Sequence, residues 1–212
     1  MREELADFDF GLTGLTERFH QDWRTGLTGT LSARDVVAES ADYDARAILE
    51  DTLRVLHSSL PTWAVTALWH ASTERNHDLD AVGTDGRAWL REIVDVCVER
   101  IKQDDPDFTA AVPVPAPDAL TGAVLDEILI AGPALTDKTM NWPQCEVSGV
   151  VPALESAVHQ VGPDLGFRLF LRAMLRYRVP ISRTQFERYV ALGERFGFAE
   201  FFFTNVEVLT GR

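Results

Sequence analysis

Apolar residues recur at intervals of three and four through nearly the whole of this chain, a spacing that fits helices and very little else. The clearest case is residues 86–103, where Trp89, Leu90, Ile93, Val94, Cys97 and Ile101 line one side of a helix. Residues 43–57 repeat the pattern, with Ile48, Leu49, Thr52, Leu53 and Leu56 on one face and Arg46, Glu50, Asp51 and Arg54 on the other. Leu12, Leu15, Phe19 and Trp23 predict a helix over 12–23, closed by Gly26 and Gly29 because glycine accepts the left-handed conformation of a helix end. Ser32, Ala33, Arg34 and Asp35 predict a cap for a short helix carrying Val36 and Val37. Pro61, at a first helical position where its missing N–H costs nothing, opens a helix that buries Val65, Leu68 and Trp69 and yields to a polar loop over 77–85.

Prolines 106, 113, 115 and 117 interrupt this pattern and predict an extended connector. Beyond it, Val124, Leu125, Ile128 and Leu129 predict a helix over 120–130, and residues 132–143, with Pro133 and Asn141-Trp142-Pro143, predict a loop. Further helices are expected over 150–161, 163–177 and 182–196, the last opened by a Ser182/Gln185 capping box. Residues 199–209, with Phe201, Phe202 and Phe203, suit a final helix or an edge strand. The expected fold is mainly α, with two orthogonal helical bundles: an acidic subdomain over 1–104, a Pro-rich connector over 105–117 and a second helical subdomain over 118–212.

A chain of 212 residues buries a sizeable core without disulfide or metal. No apolar run approaches the about 18 residues of a membrane span, and the start, Met1-Arg2-Glu3-Glu4, lacks the apolar stretch of a cleaved signal. Cys97 and Cys145 form no metal-type cluster, so no zinc is expected and a reducing cytoplasm is the simplest compartment. Charge is unevenly spread: residues 1–110 hold 22 Asp/Glu against 11 Lys/Arg, whereas residues 111–212 hold 11 against 9. That negative field argues against nucleic acid and anionic lipid as partners and steers a basic partner toward the first half.

Few residues offer catalytic chemistry. Helical metal-dependent phosphohydrolases of the HD type need a His, a His-Asp dipeptide and a later Asp, and His57, His77-Asp78 and Asp95 match that list, although the dipeptide lies in a predicted loop where that family has a helix. No GxSxG elbow, P-loop or GxGxxG occurs. Cys97 belongs to an apolar helix face and reads as a small core residue. Arg168, Arg172 and Arg176, spaced by four, form one row on a helix, with Arg178, Arg183 and Arg188 nearby. That row suits a phosphate, an acidic partner, solvent, or pairing with the acidic first half, and the net charge of −13 favours the last two.

The stretch Phe19-His20-Gln21-Asp22-Trp23 permits a His/Asp metal or acid/base pair, or a loop tied between two aromatic anchors. With the helix over 45–56, Ser58-Ser59-Leu60 and Gly86-Arg87-Ala88-Trp89-Leu90 opening the next helix, it resembles the CdiI-type immunity proteins of contact-dependent inhibition and related polymorphic toxin systems, over roughly residues 9–101. The resemblance implies a protein that is not an enzyme, takes no cofactor or metal, and neutralises the C-terminal domain of a cognate toxin by covering its active site or substrate surface. It gives Phe19 and Trp23 the role of core anchors and His20, Gln21 and Asp22 that of hydrogen-bonding groups at a helix end. The toxin-facing surface is then expected among exposed acids of the first half, namely Asp35, Glu39, Asp42, Asp44, Glu50 and Asp51. Immunity proteins of this type are about half as long, which leaves residues 118–212 without a counterpart. A helical hydrolase using His57, His77, Asp78 and Asp95 and a helical scaffold without a toxin partner are the alternatives.

Overall fold

A computed structural model of the chain describes residues 9–19, 37, 42–111, 114, 118–143 and 145–211. These are mainly helical, and no strand occurs among them. We number the helices α1 (Gly11–Glu17), α2 (Asp42–His57), α3 (Thr62–Thr73), α4 (Gly86–Asp104), α5 (Thr121–Asn141), α6 (Val150–Gln160), α7 (Pro163–Arg176), α8 (Arg183–Phe196) and α9 (Thr204–Glu207), the last set between two 3₁₀ turns.

Local signals explain most boundaries. Asp85 accepts hydrogen bonds from the amides of Arg87 and Ala88 and so starts α4. Ser182 and Gln185 form the expected capping box of α8, and Gly197, with φ of 79°, ends that helix. Arg87 reaches back from α4 to donate to the Leu60 carbonyl at 2.7 Å, which fixes the α2–α3 connection.

Three expectations are corrected. Helix α1 stops at Glu17 rather than running to residue 23: the Arg18 and Phe19 amides turn back onto the carbonyls of Leu15 and Thr16 and tighten its last turn. Residues 132–143 do not form a loop as predicted, because α5 continues unbroken through Gly132 and Pro133 to Asn141. Gly132 packs against Val151 of α6, so tertiary contact outweighs its poor helix propensity, while Pro133 lies on the exposed side. The segment 77–85 is not merely polar: His77 and Leu79 are buried, and the Trp69 indole N–H donates to the His77 carbonyl.

The core runs as one apolar cluster from Leu12 to Leu209, across both sides of the proline-rich stretch. Helix α3 accounts for this continuity, since it packs on α4 as well as on α6 and α7. The change in composition near residue 110 therefore marks a change in charge and not a break in packing. Within that stretch Val114 is 85% exposed, whereas Phe108 and Leu120 on either side of it turn toward the core. Helices α5 and α6 pack on each other and both pack on α7, the most deeply buried of the helices, and Glu127 of α5 accepts from Arg188 of α8 at 3.0 Å. The phenylalanine-rich tail turns inward, where Phe198 and Phe202 pack edge-on against Phe10.

Candidate functional site: an acidic recess above a buried arginine row

Helix α7 carries Arg168, Arg172 and Arg176 one above another toward α1 and α2, and each meets carboxylates or carbonyls of the first half. Arg168 is 2% exposed and grips Asp51 of α2 with Nη2 at 2.7 and 2.8 Å from the two carboxylate oxygens. Its Nη1 donates to the Phe10 carbonyl at 2.9 Å and to Thr13 Oγ1 at 3.2 Å, and its guanidinium lies 4.3 Å from the centre of the Phe10 ring. Asp51 also accepts the Leu12 amide at 3.0 Å, which caps α1 from another helix where Phe10 has no side chain able to do so. Beside this pair, Arg54 Nη1 donates to Asp164 at 2.8 Å and Nη2 to the Val161 carbonyl at 3.3 Å. Burial works against the Asp164 carboxylate, but the Arg54 hydrogen bonds prevail and hold its pKa below the ordinary value.

Arg172 is placed differently. It is 4% exposed, yet Nη1 stands 3.7 Å from Asp9 and 3.6 Å from Glu17, and its Nε and Nη2 have no hydrogen-bond partner. Burial raises the pKa of Asp9 despite the attraction of Arg172. Arg176 donates to the carbonyls of Ser72 and Glu17 at 3.2 and 3.0 Å, and burial together with neighbouring Arg172 brings its pKa down to about 10. The basic row is thus turned inward, onto the acidic half of the chain.

Above the row, Asp9, Glu17, Arg18 and Asp44 border an open recess of about 180 Å³ between α1 and α2. Gly11 and Gly14 line it, and a side chain at Gly11 would strike the Asp51 carboxylate. Arg18 stands 3.9 Å from Asp44, a loose exposed pair. Three carboxylates against two arginines, Arg18 beside Asp44 and Arg172 beside Asp9 and Glu17, leave the recess net negative and able to accept a Lys or Arg side chain.

The sequence-predicted acids divide. Asp51, expected on the surface, is buried and committed to Arg168, so it is withdrawn from any binding face. Glu50, one residue earlier, is exposed, and Asp44 is half-buried at the recess. Asp35 and Glu39 lie outside the described residues, as does the side chain of Asp42. The inward turn of Asp51 was readable: it lies three residues after Ile48 and four before Val55, in line with the buried stripe of α2. Phe19 anchors the core as expected, with its ring 5.3 Å from Trp69 and 6.2 Å from Trp89, whereas His20, Gln21, Asp22 and Trp23 lie outside the described residues.

The hydrolase set does not assemble. His57 and Asp95 are exposed on α2 and α4, whereas His77 is buried against Trp89 with ring centres 4.3 Å apart. Burial, then nearby His70, brings the pKa of His77 down to about 4. Among the described residues, the cluster with metal-ligating spacing is His70, Asp78 and Asp80. Arg75 already occupies both of its carboxylates, at 2.9 and 2.8 Å, and His70 Nε2 accepts the Leu79 amide at 3.1 Å. A protein cation stands where a metal would, and the imidazole lone pair is engaged, so these residues form a structural knot in the α3–α4 loop.

One consequence reaches the surface. Among the described residues 15 Asp/Glu are exposed against 5 Lys/Arg, namely Arg91, Lys102, Arg178, Arg183 and Arg195. Folding hides arginine more than carboxylate and so sharpens the negative field present in the sequence. No described helix is long and apolar enough to cross a membrane. Comparison of the chain with protein-family models, with curated proteins and with solved structures finds no match.

Proposed function

We propose that this protein acts by binding a basic polypeptide, and that it is an immunity protein that covers the active site or substrate surface of a cognate bacterial toxin domain in the cytoplasm. The observation that carries this reading is the exposed charge: among the described residues 15 exposed acids against 5 exposed bases remain once α7 has turned its arginines inward. Such a surface speeds encounter with a basic nuclease-like domain and repels nucleic acid. Glu50 and the recess of Asp9, Glu17 and Asp44 supply the acceptors for its Lys and Arg side chains. Co-expression with the product of the adjacent gene tests the reading. Rescue of growth and co-purification as a stoichiometric complex are expected, with Glu50→Lys and Asp44→Lys together weakening the complex about tenfold or more. A neighbour that is not toxic, or a toxic one that is neither bound nor neutralised, would end the immunity reading.

A further inference from the structure

A groove of about 410 Å³ opens between α5 and α6, lined by Leu125, Asp126 and Leu129 of α5 and Glu155, Ser156, His159 and Gln160 of α6. Its chemistry is two-part. Leu129, in the groove, is 70% exposed, and Ile130, the next residue on α5 but outside the groove lining, is 54% exposed, while the inner face of the helix is buried. Adjacent apolar side chains left in water on this scale mark a surface that another molecule covers. Asp126 and Glu155 flank the hydrocarbon, and no Lys or Arg lines the groove.

We propose that this groove is a docking surface for a basic amphipathic helix of another polypeptide, one that sets aliphatic side chains on Leu125 and Leu129 and the adjoining Ile130 and directs flanking Lys or Arg at Asp126 and Glu155. Charge chooses this occupant over a second copy of the chain, because two copies at −13 each would bring acids against acids. The groove shares no residue with the recess between α1 and α2, and it belongs to the half of the chain with little net charge, so the proposal goes beyond the toxin-facing surface suggested above.

The test uses the purified full chain and a fluorescein-labelled synthetic Leu/Lys peptide of about five helical turns, with the same peptide carrying Glu for Lys as control. Fluorescence anisotropy should show saturable binding of the Lys peptide only. Leu129→Ser with Ile130→Ser, and separately Asp126→Lys with Glu155→Lys, should each weaken it about tenfold or more, while Glu92→Lys, at an exposed position of α4, leaves it within about twofold. Circular dichroism confirms that each variant folds. Equal binding of the Glu peptide, or unchanged affinity in both double variants, overturns the proposal. So does concentration-dependent self-association in sedimentation velocity that vanishes in the Leu129→Ser, Ile130→Ser variant, since the occupant would then be a second copy. None of these outcomes depends on the toxin partnership, which is read separately by rescue of growth.

Discussion

Helices α7 and α5 both belong to the second half of the chain, and they treat water in opposite ways. Helix α7 buries Arg168 and Arg172 and half-buries Arg176, whereas α5 leaves Leu129 and Ile130 outside. The difference lies in what each helix meets. The first half presents Asp9, Glu17 and Asp51 to α7, and a charge so matched is tolerated in the interior. Nothing among the described residues covers the outer face of α5. Residue type alone does not fix burial; the supply of partners does.

The comparison breaks most visibly at Arg168. Arg168→Met leaves the buried Asp51 carboxylate with only the Leu12 amide and Arg54, 3.5 Å away, and urea unfolding should report a loss of about 3 kcal/mol. Arg168→Met combined with Asp51→Leu should recover much of it, and a loss below about 1 kcal/mol for the single change would refute the view that this pair pins α1, α2 and α7. Next in size is a pH effect. The arginines keep their charge when buried, but His77 is buried neutral, with its pKa displaced from 6.5 to about 4. The unfolded chain therefore binds more protons between these values, so this contribution is complete above pH 6.5 and declines as pH falls through that window. Urea midpoints measured across it should fall with pH, and His77→Phe should flatten the slope. Burial, then Arg75, also lowers the pKa of His70, which adds to the slope in the same direction.

Smaller effects separate the arginines from one another. Arg172→Met should cost no more than about 1 kcal/mol, because Arg172 makes no hydrogen bond and Asp9, with its raised pKa, takes up a proton at less expense. A loss equal to that at Arg168 would show that proximity of charge, rather than hydrogen bonding, holds α7. Smallest of all, Leu129→Ser with Ile130→Ser should leave stability within about 0.5 kcal/mol. A large loss would place both residues in the core and remove the contrast with which α5 was introduced.

Most of the helices were legible because amphipathic spacing and capping residues are local signals. The capping box at Ser182 and the stripes of α2 and α4 needed nothing beyond their own neighbourhoods. Continuity of α5 was not legible, since the Gly132 contact with Val151 comes from another helix and outweighs a local breaker. The arginine row was visible as a row, and pairing with the acidic half was among its expected fates. Which acid meets which arginine depends on how α1, α2 and α7 cross, and so Asp51 was assigned to the surface although its place in the α2 stripe pointed inward. The recess was hidden for the same reason, as Asp9, Glu17 and Asp44 are far from adjacent in sequence.

The cap that Asp51 supplies to α1 also bears on the order in which the molecule assembles. Helix α1 has 7 residues, fewer than the about 12–15 that an isolated helix needs in water, and its Leu12 amide is held by a residue 39 positions away. The segment gains nothing by coiling early, because its stabilising partner exists only after α2 has formed and Arg168 of α7 has arrived to neutralise the carboxylate. It is therefore expected to form late in folding, and the slow hydrogen exchange expected at Leu12 would report opening of the three-helix junction rather than fraying of a terminal turn.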